Sequence, residues 1–573
     1  MCCNFNTSRY HFGFAPVGVP EYDHGVNFDI GPSTDDIATC LIIESWMKDC
    51  LNHHALCQQA IRNTAFRPTR LLELSPEGTY RLINRSQCPP DLEYAALSYC
   101  WGTKPATALL RLLRTTFGYL SHGGPLESLP RTFSEAAKAA QRLGVIYLWI
   151  DRLCIFQDST EDWQQEAASM KEVYQNCKFS IAALGAEDSD AGCFFERNPA
   201  KVAPTIVCLQ LGENEEPTRF RYEYEDRWSW KHSFYKEPLL KRAWVVQERL
   251  LAPRTVYFGS RQVFWECYEA KCAETNPQGV GVFDSTPPAS GKNPLPRAVC
   301  GGKELLDFPR RFLASDDYEQ LFEDWHCLVT FYSARSLTMP ADKLVAISGM
   351  AQDMMGMLNK LKPGLPHRYL AGLWEEKLVQ TLSWEVDWAA ARAPHYRAPS
   401  WSWACLDAQV NGDRTYSGAE DICLTSCEAV DMVYRTEDET GQVLCGAITL
   451  SGPCALIDIA NDLPRRGQGR RQTTVRWKGV QGRDGYVAFD GVDYWDKFAE
   501  VIFDTRDDFT TEALFIWLTF HGGDSLARGE GLLLAPLSDG TYRRIGIAQR
   551  FFEGAQRASP LIDCMEKQRV VVA

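Results

Sequence analysis

The amino-acid sequence predicts an α/β fold built around a βαβαβ unit with a parallel sheet. Apolar runs typical of buried strands occur at 94–99, 147–151 and 178–184. A helical pattern fills each of the two intervals between these runs. Because strands that alternate with helices form parallel sheets with right-handed crossovers, we expect the three strands to share one sheet.

The first strand of this unit, 94–99, runs into a turn at Gly102. Its last residues, Ser98 and Tyr99, and the nearby Trp101 are expected at the edge of the sheet. The two aromatic side chains could stack on a base or a nicotinamide ring, or they could fill the core.

A helix is predicted next, at 129–144. Pro130 lies in its first turn and Gly144 at its end, which are the positions that proline and glycine favour in helices. Four apolar side chains recur on one face of this helix: Phe133, Ala136, Ala137 and Ala140. The helix leads directly into the second strand.

The second strand lies in the apolar run Tyr147–Ile155. We expect the strand to end at Asp151 and Arg152. Ligands of open parallel sheets bind beyond the carboxyl ends of the strands, so we expect Asp151 to face a cleft. The alternative role for Asp151 is a salt bridge with Arg152 or a loop cap. A second helix, capped by Asp158–Thr160, extends to Tyr174 and leads to the third strand.

Turn signals and changes of pattern divide the 573-residue chain into six segments. These are a loosely ordered arm (1–38), a helical and hairpin segment (39–93), the α/β domain (94–270), a linker or insertion (271–312), a mainly helical region (313–410) and a mostly β C-terminal domain (411–573). Short strands are predicted in the last domain at 443–450, 486–489, 514–520, 531–536 and 546–552.

A helix is predicted at about 37–51, and Cys50, His54 and Cys57 lie at and just after its end at C-x₃-H-x₂-C spacing. Three soft ligands are one short of a closed structural zinc site, although Cys40 or Cys88 could supply a fourth. Free cysteines are also among the most buried residue types. We therefore interpret the three residues as buried side chains beside a helix end and predict no metal.

The net charge of −14 argues against a nucleic-acid partner, because neutralising phosphates requires a basic face. We interpret the main basic cluster as a solvated loop and strand edge; it consists of Arg465, Arg466, Arg470, Arg471, Arg476 and Lys478. The 21 cysteines are scattered and the N-terminus lacks a signal-peptide layout, so we predict a cytoplasmic protein with reduced thiols. No apolar run approaches the ~18 residues of a membrane span.

Five segments, in order, resemble the heterokaryon-incompatibility (HET) domain of filamentous fungi. They are Ala96–Gly102, Leu129–Phe133, Leu143–Asp158, the set Asp162, Trp163, Met170 and Tyr174, and Arg242–Leu251. The resemblance covers about 94–250. It implies a fungal protein of self/non-self recognition whose HET domain triggers growth arrest and cell death. It also implies a protein partner or self-association.

The HET family is similar, at a distance, to Toll/interleukin-receptor (TIR) domains, some of which cleave NAD with a glutamate. Such domains carry a Trp-Cys-x-x-Glu helix, and Trp244–Glu248 keeps the Trp and the Glu but lacks the Cys. The resemblance implies that Glu248 is catalytic and that NAD is a substrate; no cofactor is predicted. The expected substrate-binding residues are Ser98, Tyr99, Trp101, Gly102, Asp151, Arg152 and Trp244.

Glu248 lies among apolar side chains in the pattern of the helix predicted at 239–251. A carboxylate in such a place must pair with a tertiary partner such as Arg152 or Arg242, face a cleft, or shift its pKa upward. Three functions follow as hypotheses. The chain is an effector of incompatibility, or a TIR-like NAD glycohydrolase that uses Glu248. The third hypothesis is a small-molecule enzyme or accessory protein of fungal secondary metabolism, with aromatic side chains lining a pocket.

Overall fold

The computed structural model divides the chain into two compact units, Met1–Pro296 and Arg297–Ala573. The structure describes residues 13–16, 30–59, 63, 65–203, 205–209, 218–223, 234, 236–275, 277–278, 317–386, 390–411, 421–459, 470–478, 495–521, 527–552 and 565–573. Three predictions fall wholly or mostly outside these ranges, namely the arm at 1–38, the linker at 271–312 and the strand at 486–489.

Helices flank the sheet of the first unit and open the second. The helices within the described ranges are α1 (Ile37–His53), α2 (Ala55–Gln59), α3 (Phe117–His122), α4 (Arg131–Arg142), α5 (Asp151–Cys154), α6 (Thr160–Ala168), α7 (Met170–Asn176), α8 (Trp244–Leu251), α9 (Tyr318–Ser333), α10 (Val345–Leu361) and α11 (Leu378–Thr381). None of them is long and apolar enough to cross a membrane.

The first unit contains a large mixed sheet and a small antiparallel one. Its strands are β1 (Gly13–Pro16), β2 (Arg70–Leu74), β3 (Thr79–Asn84), β4 (Ala95–Ser98), β5 (Gly124–Pro125), β6 (Tyr147–Trp149), β7 (Phe179–Ala182), β8 (Thr205–Leu209), β9 (Thr218–Glu223), β10 (Arg254–Phe258), β11 (Val263–Cys267) and β12 (Lys271–Ala273). The order in the large sheet is β12-β11-β10-β7-β4-β6-β2-β3-β5, and β1, β9 and β8 form the small one.

The predicted βαβαβ unit forms the centre of the large sheet. Strands β6, β4, β7 and β10 are parallel neighbours. Every residue of β4, β7 and β10 is buried, as expected for strands covered by helices on both faces. The flanking strands pair antiparallel, so the sheet as a whole is mixed rather than parallel.

The structure corrects three predicted boundaries. The run Tyr147–Ile155 is not one strand, because β6 ends at Trp149 and α5 begins at Asp151. The helix predicted up to Tyr174 is split into α6 and α7 at Ser169. The helix predicted at 239–251 begins only at Trp244 as an α-helix, since the backbone of Arg242 is extended.

The second unit is mostly β after its helices, as predicted. Its strands are β13 (Tyr369–Leu370), β14 (Leu373–Trp374), β15 (Glu385–Val386), β16 (Val410–Asn411), β17 (Asp421–Cys423), β18 (Ser426–Tyr434), β19 (Val443–Ile459), β20 (Arg470–Lys478), β21 (Trp495–Phe503), β22 (Glu512–His521), β23 (Ala527–Pro536), β24 (Tyr542–Phe552) and β25 (Glu566–Val572). Of the basic cluster, Arg465 and Arg466 lie outside the described residues and the other members lie on β20.

The long strand β19 organises this unit. It pairs with β18 and β25 along its first part and with β20 and β22 along its last part. The pairing of β19 with β22 closes the path β22-β23-β24-β21-β20-β19 into a ring of six strands. Buried side chains from this ring form one apolar cluster, which includes Val475, Phe515 and Trp517.

Many of the tryptophans that the structure describes fill cores. Seven of those in the described ranges are almost completely buried: Trp149, Trp265, Trp325, Trp374, Trp401, Trp403 and Trp517. Packing inside the two units therefore accounts for much of the aromatic content.

Candidate functional site

Three donors hold the Asp151 carboxylate. The Tyr99 hydroxyl donates to Oδ1 and the Trp101 indole Nε1 donates to Oδ2, each at 2.8 Å. The backbone N–H of Arg152 donates to Oδ1 at 2.6 Å. Asp151 is the first residue of α5, two residues beyond the end of β6, so the sequence predicted its place to within two residues. Its bond to Arg152, however, is made by the main chain and not by a salt bridge.

The side chain of Arg152 lies in an aromatic cage. Its guanidinium carbon is 4.5 Å from the ring centre of Phe133, 5.7 Å from that of Tyr99 and 6.0 Å from that of Trp101. The residue is fully buried, and its three guanidinium nitrogens have no hydrogen-bond partner among the described residues. Aromatic faces compensate only part of the cost of burying a cation. The cage is therefore suited to a further polar or anionic partner.

Glu248 is the second carboxylate of the site. It is 5% exposed in the middle of α8, and the Ser98 hydroxyl at the end of β4 donates a hydrogen bond to its Oε2. Burial raises the pKa of Glu248 to about 7, Arg242 and the Ser98 hydrogen bond lower it, and Asp151 adds to the rise. The Glu248 carboxyl can therefore exchange a proton near neutral pH.

Arg242, rather than Arg152, supplies the positive charge near Glu248. Its guanidinium donates to the main-chain carbonyl of Tyr99, which ties the segment before α8 to the turn after β4. Sequence reasoning considered Arg242 as a partner of Glu248 but omitted it from the site. In the sequence, the signal that could have pointed to Arg242 is its place two residues before Trp244. In the structure, the backbone of Arg242 is extended, just before α8 begins.

Tyr174 is a site neighbour that sequence reasoning missed. Its hydroxyl donates to the carbonyl of Leu97 at 3.2 Å, which fixes α7 against the end of β4. Burial raises the pKa of Tyr174 well above its ordinary value, and both Glu248 and Asp151 add to the rise. The carboxylates of Glu248 and Asp151 thus both disfavour ionisation of the Tyr174 hydroxyl.

Gly102 and Trp244 complete the predicted set. Gly102 has φ +83°, and a Cβ there would lie 2.5 Å from Cβ of Asp188, so the turn after β4 requires glycine. Trp244 is half-buried at the start of α8. In the described part of the chain, no hydrogen bond joins Trp244 to the other predicted residues.

Two cavities in the described part of the chain lie elsewhere. The larger, of about 650 Å³, is a groove between β2, β3 and β5 that includes Ser75, Tyr80 and His122. The smaller, of about 20 Å³, lies between α1 and α4. None of the predicted site residues lines either one. Glu248 itself is buried, so a substrate would reach its carboxylate only after neighbouring residues move.

A separate cluster lies at the end of α1. Cys50, His54, Cys57 and Cys267 bring their ligand atoms within 4.8 Å of one another. The proposed alternatives for a fourth member lie elsewhere: Cys40 contacts Arg142, and Cys88 contacts the carbonyl of Asn84. Hydrogen bonds from the thiols of Cys50 and Cys57 lower the pKa of Cys267.

The model of one protein family, described as heterokaryon incompatibility protein (HET), matches residues 94–248. This stretch contains the parallel strands β4, β6 and β7 and runs to Glu248, so it includes every predicted site residue. The match links this stretch of the chain, at the level of the family, to heterokaryon incompatibility. No curated protein and no solved structure matches the chain.

Proposed function

We propose, on the premise that residues 94–248 carry a HET domain, that this chain is an effector of fungal heterokaryon incompatibility. In this proposal the HET domain triggers growth arrest and cell death when a protein partner or self-association activates it. The observation that carries the proposal is the family match, which extends over the whole carboxylate site from Ser98 to Glu248.

The test is controlled self-association in a fungal host. The full chain is fused to a domain that dimerises on addition of a small molecule, and colony growth and dye exclusion are followed after induction. We expect death only in the dimerised cultures. Asp151→Asn should reduce it strongly, whereas Lys241→Met, which changes an exposed side chain beside the site, should not. Normal growth with abundant, folded, dimerised chain would contradict the proposal.

NAD cleavage is the second candidate function, and the raised pKa of Glu248 favours it. In this reaction the glycosidic bond between nicotinamide and ribose breaks, water adds to the ribose carbon, and ADP-ribose, nicotinamide and a proton are released. The ionised Glu248 would bind the ribose hydroxyls or stabilise the positive charge that develops on the ribose. The guanidinium of Arg152, which has no hydrogen-bond partner among the described residues, would suit a phosphate group.

The measurement is nicotinamide release from NAD by the purified full chain, followed by chromatography. We expect Glu248→Gln to lower the rate of nicotinamide release about a hundredfold or more. This is the range seen when a catalytic acid or base is removed. Glu166→Gln is the matched control, because Glu166 is also buried in the HET domain with a pKa raised by burial. Equal activity in wild type and Glu248→Gln would show that Glu248 takes no part in the reaction.

The third hypothesis, an enzyme or accessory protein of secondary metabolism, stays a prediction. Its test is the same purified chain in equilibrium dialysis against apolar metabolites from a fungal extract.

A further inference from the structure

The four residues at the end of α1 have the composition of a closed metal site. Cys50 lies in α1, His54 follows its last residue, Cys57 lies in α2, and Cys267 ends β11. Three sulfurs and one imidazole nitrogen within 4.8 Å of one another form a Cys₃His set. The ligands of a tetrahedral zinc–thiolate site lie about 3.8 Å apart, so small side-chain movements would bring these four atoms onto one ion.

We propose that Cys50, His54, Cys57 and Cys267 bind one structural zinc ion. Zinc is the ion that such soft sulfur and nitrogen ligands select in a tetrahedral arrangement. With four protein ligands there is no open coordination position, so the role is structural rather than catalytic. The proposal is independent of the carboxylate site and of the function proposed for it.

The orientation of His54 supports this proposal. Its Nδ1 is 3.2 Å from Sγ of Cys267, and its Nε2 is 3.3 Å from Oδ2 of Asp49. Ligating histidines commonly donate their second ring N–H to a carboxylate, which orients the ring and strengthens the ligand. Nδ1 is thus the ligand atom, and Asp49 is the carboxylate that positions it.

The surroundings also match a thiolate site. The backbone N–H of Ala270 donates to Sγ of Cys267 at 3.3 Å, and Nε of Arg254 donates to Sγ of Cys50 at 3.0 Å. Three thiolates and a neutral imidazole around a doubly charged ion leave one net negative charge, which the guanidinium of Arg254 offsets. Cys50, Cys57 and Cys267 are all buried, so water has little access to the ion.

The ion would join two segments that are far apart in sequence. The helices α1 and α2 precede the HET domain, whereas β11 follows it directly after α8 and β10. Trp46 of α1 already packs against Trp265 of β11, with ring centres 6.5 Å apart. Zinc would therefore fasten the N-terminal helices to the sheet that carries the carboxylate site.

Metal analysis of the purified full chain tests the proposal. The chain is expressed in zinc-supplemented medium, purified without chelator, and its metals are measured by mass spectrometry. We expect about one zinc per chain. Cys267→Ser and His54→Ala should lower the content to below about a tenth of an equivalent. Cys88→Ser, at a thiol outside the cluster, and His53→Ala, at an exposed histidine that contacts the same Asp49, should keep it.

A second measurement uses only wild-type protein, so it does not depend on whether the variants fold. Titration with a mercurial should release zinc as the cluster thiols react, and exchange with cobalt should give the intense visible bands of a tetrahedral thiolate complex. Folded wild-type chain without zinc, a disulfide within the cluster, iron in place of zinc, or full zinc content in Cys267→Ser would each overturn the proposal.

Discussion

Asp151 illustrates what single residues contribute and how far the sequence predicts them. Its position at the end of a strand followed from the pattern of apolar residues alone. Its donors did not, because Tyr99 and Trp101 lie in the turn after β4 and reach Asp151 only through the tertiary fold. Likewise, the spacing of Cys50, His54 and Cys57 indicated three ligands. The fourth, Cys267, lies 213 residues beyond His54, and no local pattern points to it.

We predict that Asp151→Asn destabilises the first unit by about 1–3 kcal/mol, because one amide oxygen cannot accept all three donors and the new N–H₂ group faces a donor. Urea denaturation followed by tryptophan fluorescence measures this change. Tyr99→Phe removes only one of the donors, so its effect should be smaller. If Asp151→Asn leaves stability unchanged, the hydrogen bonds to Asp151 do not stabilise the fold and its role lies in ligand binding.

Glu248 makes stability depend on pH. Its pKa in the folded chain is about 7, above the ordinary value of 4.5. A raised pKa means that its stabilising contribution is complete below pH 4.5 and is lost as the pH rises through 7. Glutamine does not titrate. The stability of wild type relative to Glu248→Gln should therefore fall by about 3 kcal/mol between pH 4.5 and pH 8.

Thermal unfolding of both proteins across this pH range gives the measurement. Glu187→Gln, at an exposed glutamate in the same unit, is the control, and its curve should parallel that of wild type. Parallel curves for wild type and Glu248→Gln would show that Glu248 is ionised in the folded chain like an exposed carboxylate.

Helix α8 is held to the sheet by a buried ion pair. Nε and Nη2 of Arg249 donate to the two carboxylate oxygens of Glu266 on β11 at 2.7 and 2.6 Å, and the Tyr257 hydroxyl of β10 donates at 2.7 Å. Burial alone would raise the pKa of Glu266, but Arg249, Lys271 and the Tyr257 hydrogen bond together outweigh burial and hold the pKa at about 2. The helix that carries Glu248 is thus anchored through its next residue.

We predict that Arg249→Met costs about 3–5 kcal/mol, because it leaves the Glu266 carboxylate buried without its main partner. The double change Arg249→Met with Glu266→Leu should recover much of that loss. Urea denaturation at pH 7 measures both. A single variant as stable as wild type would mean that Lys271, whose Nζ is 3.7 Å from Glu266, compensates for Arg249.

For the helices and strands, the sequence predicted their presence better than the positions of their ends. The centre of the sheet followed from apolar runs, because strands buried on both faces are apolar throughout. The split at Ser169 and the extended backbone at Arg242 did not follow. Near both places lie long-range hydrogen bonds that no local pattern reveals, from Tyr174 to Leu97 and from Arg242 to Tyr99.

For the whole molecule, we predict that residues 1–296 and 297–573 fold separately, since each forms a compact unit with its own sheet. The two pieces, expressed alone, should each show native-like circular dichroism and a cooperative thermal transition. The piece 1–296 should also bind zinc. A piece that stays unfolded in isolation would contradict this prediction for that unit. The six predicted segments are finer than this division and stay a prediction.

The closed ring of six strands in the second unit has a consequence for its biosynthesis. Strand β19 leaves the ribosome before β22, the partner that closes the ring. Until then its unpaired backbone groups are exposed to other nascent chains, which makes the partly made unit prone to aggregation. Slower translation at low temperature, with ample chaperone, should therefore raise the yield of soluble chain.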